Sequence, residues 1–377
     1  MDYSKKAISL HKKNKGKIEI KAKVSLNSMD DLSSVYTPGV GAVCSEIAKD
    51  KKKSYELTNR KNTIAIVCDG TAVLGLGNIG PEAGMPVMEG KSVIFKTFAG
   101  VDAIPLCIAT QDTEEIIKFC KQIEPSFGGI NLEDISAPRC FEILKVLEKE
   151  LTIPVFHDDQ DGTAIVVLAA LINSCRVSLK NINKLKVVIN GAGAAGIATA
   201  RLLIAKGIKD IILLDSKGII NEKRKDLNEF KLDIAKKTNR ERIEGGLEEA
   251  IIGADVFIGL SKPKLMNARM IKTMNKKPIV FAMANPVPEI MPDIAERAGA
   301  FIVGTGRSDF SNQINNALVF PGVFRGLIDS GKRVITEKLK LRVALALAYC
   351  LKKPTRKKIL PKLTNRESVT EIAKAIK

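Results

Sequence analysis

The stretch Val187-Val188-Ile189-Asn190-Gly191-Ala192-Gly193-Ala194-Ala195-Gly196 decides the fold of this chain. Four residues of strand type run into glycines at the first, third and sixth places of a turn, and a run of helix formers follows. Such a turn leaves backbone N–H groups at a helix N-terminus open to a pyrophosphate. The helix is expected over Ile197 to Ala205. The next apolar run, Ile211 to Asp215, ends in an acid nineteen residues beyond Gly196, where a carboxylate commonly binds the ribose hydroxyls of NAD. A dinucleotide site over Gly191, Ala192, Gly193, Ala194, Ala195, Gly196 and Asp215 is therefore expected. Asp215 would repel the 2′-phosphate of NADP, whereas Lys217 could neutralise that repulsion, so the sequence leaves NAD or NADP open.

Working outward, Val187–Asn190, Ile211–Asp215, Val256–Leu260, Pro278–Met283 and Phe301–Gly304 read as strands of one α/β series, and Gly322 to Lys377 as mostly helical. Upstream lies a second series. Thr63–Cys68, Ala103–Ile108, Gly129–Leu132 and Pro154–His157 read as strands. Lys91–Thr97, Thr113–Ile123 and Arg139–Glu150 read as helices, and Lys17–Lys21 as an alternating extended segment. The expected fold class is α/β: an N-terminal α/β substrate and metal domain over 1–157, then a Rossmann-type doubly wound NAD(P)-binding domain over 158–377. A C-terminal helical segment occupies about 322–377, and a hinge is expected near Asp158–Gly162.

Two acidic pairs stand at the expected strand ends, Glu133-Asp134 and Asp158-Asp159. Each pair alone could simply cap a helix. Four acids at neighbouring strand ends repel unless a cation lies among them, and hard carboxylate oxygens select Mg²⁺ or Mn²⁺.

Composition narrows the class. With 45% hydrophobic and 27% charged residues over 377 positions, the chain reads as a globular protein of two domains. No apolar run approaches the roughly 18–20 residues that span a bilayer; Ala164–Cys175 is shorter and reads as a buried helix. The start, Met1-Asp2-Tyr3-Ser4-Lys5-Lys6, lacks a secretory pattern, and no membrane partner is expected. The seven cysteines form no C-x-x-C pair and read as reduced thiols, which fits a cytoplasmic location. The net charge of +18 is spread along the chain, aromatics are 5% and tryptophan is absent, so no nucleic-acid partner is expected. A basic surface instead favours anionic small molecules.

Beyond these readings the chain resembles the malic enzymes, in particular their small prokaryotic-type form. The resemblance rests on Val35-Tyr36-Thr37-Pro38-Gly39-Val40-Gly41, Gly75-Leu76-Gly77-Asn78-Ile79-Gly80, Glu89-Gly90-Lys91 and Leu132-Glu133-Asp134. It continues through Phe156-His157-Asp158-Asp159-Gln160-Asp161-Gly162-Thr163, Ala284-Asn285-Pro286 and Asn315-Asn316-Ala317-Leu318-Val319-Phe320-Pro321-Gly322. It implies divalent-metal-dependent oxidative decarboxylation of L-malate to pyruvate and CO₂ with NAD(P)⁺ as hydride acceptor, in a homodimer. It implies Glu133, Asp134 and Asp159 as metal ligands, Lys91 as the base with a lowered pKa, and Tyr36 as the acid that protonates C3. Asp158 would orient Lys91 or relay its proton. Asn285 and Asn316 would bind substrate or the nicotinamide side, with Asn315 a weaker candidate.

One departure stands out. Larger members carry an arginine before the Leu-Gly-Leu-Gly stretch, and here Thr71-Ala72-Val73-Leu74 offers no cation. The backbone of the Gly75–Gly80 loop, or Arg307, would have to bind the distal carboxylate instead. Two other functions stay open at this point: a decarboxylase of the same family without net redox change, and a dinucleotide-binding regulatory protein without catalysis.

Overall fold

Ten strands form two separate sheets in the computed structural model, which describes residues 3 to 377 except Leu74. Met1-Asp2 of the N-terminal reading and Leu74 of the Thr71–Leu74 stretch lie outside the described residues. The first sheet holds β1 (Thr63–Cys68), β2 (Asp102–Cys107), β3 (Ile130–Glu133) and β4 (Val155–His157), in the order β2-β1-β3-β4, all parallel. The second holds β5 (Lys186–Asn190), β6 (Asp210–Asp215), β7 (Gly218–Ile219), β8 (Val256–Gly259), β9 (Ile279–Ala282) and β10 (Ile302–Thr305), in the order β10-β9-β8-β5-β6-β7. Only β7, too short to be read from sequence, runs antiparallel. The strands are continuous apolar runs because helices cover both faces of a parallel sheet.

In both sheets the strand order reverses beside the first strand of the series, at β1 and at β5. Open α/β sheets bind ligands in the crevice outside their carboxyl ends at such a reversal. The acids at the ends of β3 and β4 and the glycine turn after β5 occupy these crevices.

The helix Thr163–Ser178 joins the two series, and almost every residue in it is buried. With its opening turn it runs from Asp158 to Ser178, 21 residues of mean hydropathy 1.3, long enough to cross a membrane by length and composition. Its most apolar window is 83% buried inside the fold, as in a core helix. The C-terminal helix Phe320–Ser330 crosses back onto the first series. Phe320 and Phe324 meet Phe95 with ring centroids 4.6 and 5.4 Å apart, and Phe324 meets Phe156 edge-on at 6.0 Å. All four rings are fully buried, each contributing roughly 2–3 kcal/mol of apolar transfer. This cluster fixes the turn that carries Asn316 against the helix that carries Lys91.

Three local expectations are corrected. Lys17–Lys21 forms no strand, since its alternating residues face solvent with no neighbouring strand. The helix expected at Lys91–Thr97 begins ten residues earlier: Pro81 opens it behind Gly80, it runs to Ile94, and a wider turn over Phe95–Ala99 follows. Its Gly and Pro content hid it, although Pro at a first turn is favourable. The helix after the glycine turn spans Ala194–Lys206, three residues longer at its start than expected.

Candidate active site

A cleft of about 610 Å³ lies between the ends of the two sheets, within the range of small-molecule sites. Lys91, Glu133, Asp134, Asp159, Ala195, Asn285 and Asn316 all line it, although they are separated by up to 225 positions of chain.

The acids are brought together by strand ends. Glu133 closes β3, and Asn131 donates to its Oε2 at 2.9 Å. Asp134 follows with φ of +53°, a left-handed backbone that a carboxylate residue adopts at a cost of about 1 kcal/mol or more. Its N–H donates to Asp159 Oδ2 at 2.8 Å, which ties the loop after β3 to the turn after β4. Oxygens of Glu133, Asp134 and Asp159 then lie within 4.8 Å of one another. Asp134 Oδ2 is buried with no hydrogen-bond partner. Burial, and next the charge of Asp159, push the Glu133 carboxyl well above its ordinary range and that of Asp134 to about 8. Three mutually repelling oxygens with an unpartnered buried atom form a donor set that a hard divalent cation fits.

Lys91 stands in the last turn of the Pro81–Ile94 helix, only 7% exposed. Its ammonium pairs with Asp158, lies 3.0 Å from Glu133 Oε1, and sits 4.3 Å from the centroid of the Phe320 ring. The lowered pKa that the resemblance implies for this lysine rests on the neighbouring cation as well as on burial. Burial pulls it down, but Asp158, Glu133 and Asp159 outweigh burial and hold the ammonium above its ordinary value. Positive charge among those carboxylates would shift the balance back. Burial raises the Asp158 carboxyl to about 6 in spite of its lysine partner. Gly162 makes the arrangement possible, because a Cβ there would stand 1.8 Å from Asp158 Oδ1.

The dinucleotide cradle has the expected shape. A Cβ on Gly196 would stand 1.7 Å from the Gly191 carbonyl oxygen, so only glycine lets the helix start pack under the turn. Nothing lies within 4 Å of a Cβ on Gly193, and its helix has no side-chain cap, which leaves N–H donors for a phosphate. Asp215 is more occupied than its sequence position suggested. Arg224 grips it in a fork at 2.9 and 3.1 Å, and Lys231 adds a contact at 2.7 Å. Lys217 pairs with Asp226 instead, at 3.0 Å.

Other candidates separate clearly. Asn285 and Asn316 line the cleft; the Asn315 side chain also caps its own turn, accepting from Ala317 N–H at 2.8 Å. Arg307 does not line the cleft: it donates to Asp309 at 2.8 and 2.6 Å and to the Pro286 carbonyl at 3.0 Å. Tyr36 is 67% exposed and also lies outside the cleft. Two residues not singled out by sequence matter here. Glu289, fully buried, accepts from Ala284 N–H at 3.0 Å and Ser261 N–H at 3.2 Å, and so fixes the segment bearing Asn285. Lys17 lines the cleft from an irregular segment. An acid among apolar residues and a lysine after a glycine carry little signal.

Known proteins match the chain over nearly its whole length. The family described as malic enzyme, N-terminal domain matches residues 14–148, and malic enzyme, NAD binding domain matches 160–377. A bifunctional malic/malolactic enzyme of Bacillus subtilis (strain 168) is 53% identical, covering 92% of this chain and 85% of its own. An NAD-dependent malic enzyme of Geobacillus stearothermophilus is 52% identical, covering 96% and 76%. The crystal structure of an NAD-dependent malic enzyme from Thermotoga maritima superposes with a TM-score of 0.95 at 48% identity, covering 98% of each chain.

Proposed function

The chain belongs to the malic enzyme family, a family of oxidative malate decarboxylases, and from that premise we propose how its own residues divide the work. The observation that carries the reading is the meeting of Lys91 with Glu133, Asp134 and Asp159 in one cleft, beside the glycine turn. A divalent cation, Mg²⁺ or Mn²⁺, held by those three carboxylates would draw electron density from the C2 oxygen of malate, while the nicotinamide of NAD or NADP accepts the hydride.

Once positive charge among the carboxylates brings it to the neutral amine, Lys91 takes the C2 hydroxyl proton as the C2 hydride departs. Asp158, paired with the Lys91 ammonium, holds Lys91 in line or relays its proton. Loss of CO₂ leaves an enolate, whose C3 needs an acid. Asn285 and Asn316 orient the substrate and the nicotinamide side from the facing wall. Residues 158–377 act as the nucleotide domain and 1–157 as the substrate domain, closing by rotation about the Asp158–Gly162 turn.

Tyr36 is the acid by resemblance, and its exposure suggests where it acts. From Tyr3 to Asn62 no residue is buried, although this segment forms four α-helices and two 3₁₀ turns and presents Ile20, Met29, Tyr36 and Val24 to solvent. Helices this short hold together only by burying an apolar face against something. A second copy of the chain is the partner that the reading requires, and the partner subunit's Tyr36 completes each cleft. A cytoplasmic location fits the free thiols of all seven cysteines.

Arg224 and Lys231 neutralise Asp215, so its charge does little to exclude a 2′-phosphate, and both dinucleotides are substrates on this reading. The test is a malate assay with NAD and with NADP, each after chelation and after metal is returned. Reduced cofactor and pyruvate in equal amounts, only with metal, support the reading; lack of turnover with metal restored refutes it. A second reading is favoured by one relative being a bifunctional malic/malolactic enzyme. Lactate formed from malate without accumulation of reduced cofactor would support it.

A further inference from the structure

Malate carries two carboxylates; a cation on the C2 oxygen would also reach the C1 carboxylate beside it and leave the distal one without a cationic partner. A carboxylate leaving water for a cleft needs a cation or several N–H donors to replace its hydration. Among the described residues, two cationic side chains line the cleft, Lys91 and Lys17. The charge of Lys91 is already shared between Asp158 and Glu133. Of the two alternatives from sequence, Arg307 is held outside by Asp309, and the Gly75–Gly80 loop brings Gly75 to the cleft wall with no charge of its own.

Lys17 is placed differently. It follows the turn at Gly16, whose φ of +111° swings the chain back over the Pro81–Ile94 helix. Glu89 of that helix packs on this turn, its Oε1 within 2.7 Å of where a Gly16 Cβ would stand. The Lys17 ammonium donates to the Pro86 carbonyl at 2.6 Å, and a Cβ on Gly90 would lie 3.4 Å from it. Pro86 and Gly90 stand one turn apart on the face of the helix that leads to Lys91. Lys17 is half-buried and feels the charge of Glu89, but its one hydrogen bond goes to a neutral carbonyl, so two of its three N–H donors remain for a ligand.

We propose that Lys17 binds the malate carboxylate that the metal does not hold, and so sets the preference of this cleft for a dicarboxylate over a 2-hydroxy monocarboxylate. This rests on the malate reading. Lys17 is a substrate-binding residue and takes no proton in the reaction. The segment around it, in which no residue is fully buried, gains a role in substrate choice as well as in pairing.

The test compares the wild-type chain with Lys17→Met and Lys17→Arg, each in the presence of Mn²⁺. Two competitive inhibitors differing by one carboxylate, tartronate and glycolate, give a readout beside turnover. Lys17→Met is expected to raise the KM for malate and the inhibition constant for tartronate about ten- to thirtyfold, as for one partly solvated charged hydrogen bond. The glycolate constant and kcat stay within about threefold, and Lys17→Arg recovers most of the loss. An unchanged KM in Lys17→Met overturns the proposal. So does an equal loss for tartronate and glycolate, which would show that Lys17 only supports the fold. If the wild-type chain oxidises no malate with metal present, the malate reading falls instead, and the two failures are told apart.

Discussion

Replacing Gly162 by alanine tests the geometry around Lys91 without touching any group that performs chemistry. The added methyl would stand 1.8 Å from Asp158 Oδ1, 2.9 Å from its Cγ and 3.3 Å from the Asn316 Cβ. A separation of about 3.4 Å or more is needed, so the Asp158 carboxylate must move by more than 1 Å. Its first neighbour in the other direction is the Lys91 ammonium, and both groups are nearly without solvent. Parting a buried pair leaves each charge short of a partner, at a cost of about 3–5 kcal/mol when one partner is removed outright. Here Glu133 still holds the lysine at 3.0 Å, so about 2–3 kcal/mol is expected. A 1 Å misplacement of the group that aims the base should lower kcat about a hundredfold. Urea unfolding monitored by circular dichroism gives the first quantity, and malate turnover the second. A variant within 0.5 kcal/mol of wild type (the scatter of surface changes) that keeps more than half its activity would refute this account of Asp158.

Four further outcomes are expected. Gly196→Val should abolish dinucleotide binding measured by fluorescence, since its side chain meets the Gly191 carbonyl, while Mn²⁺ binding persists. Phe324→Ala should cost about 3–5 kcal/mol in the same urea assay, because its ring joins the C-terminal helix to Phe95 and Phe156. Burial, then the charge of Asp161, raises the Glu148 carboxyl from 4.5 to about 7. The folded chain thus keeps a proton that the unfolded chain loses, and stability falls as pH rises from about 4.5 to 7 and is level above. Glu148→Gln should flatten about 2 kcal/mol of that decline, after allowing for the part of the group that meets water; identical profiles would exclude it. Finally, Tyr36→Phe and Lys91→Ala chains, each inactive alone, should recover about a quarter of wild-type activity when mixed and refolded together. Random pairing makes half the dimers hybrid, with one intact cleft each. Mixtures that stay inactive would remove the tyrosine from the partner's site.

The strands were legible because parallel strands buried on both faces are unbroken runs such as Ile64–Val67 and Ile211–Leu214. The glycine turn was legible because Gly191 and Gly196 each answer a close backbone contact, while Gly193 stands open at the helix start. The helix bearing Lys91 was misread because it contains Gly84, Pro86 and Gly90, and its propensity is overridden by packing on β1 and β2. Glu133, Asp134 and Asp159 stood out as acids at strand ends, yet that their oxygens converge depends on the left-handed backbone of Asp134, which no local pattern announces. The partners of Asp215 could not be read either. Arg224 and Lys231 reach it from nine and sixteen residues away, among many lysines that do not. Lys17 was invisible for a similar reason: its meaning comes from a helix some seventy residues downstream.

The central claim is that one cation, gripped by Glu133, Asp134 and Asp159, makes the cleft competent for malate. Its most direct test is Mn²⁺ binding to the chelator-stripped protein, followed by electron paramagnetic resonance in wild type and Asp159→Asn. One ion bound per chain in the wild type, and affinity reduced at least a hundredfold in the variant together with its malate turnover, is the result expected. Equal binding in both, or wild-type turnover that continues undiminished in excess chelator, would contradict the account.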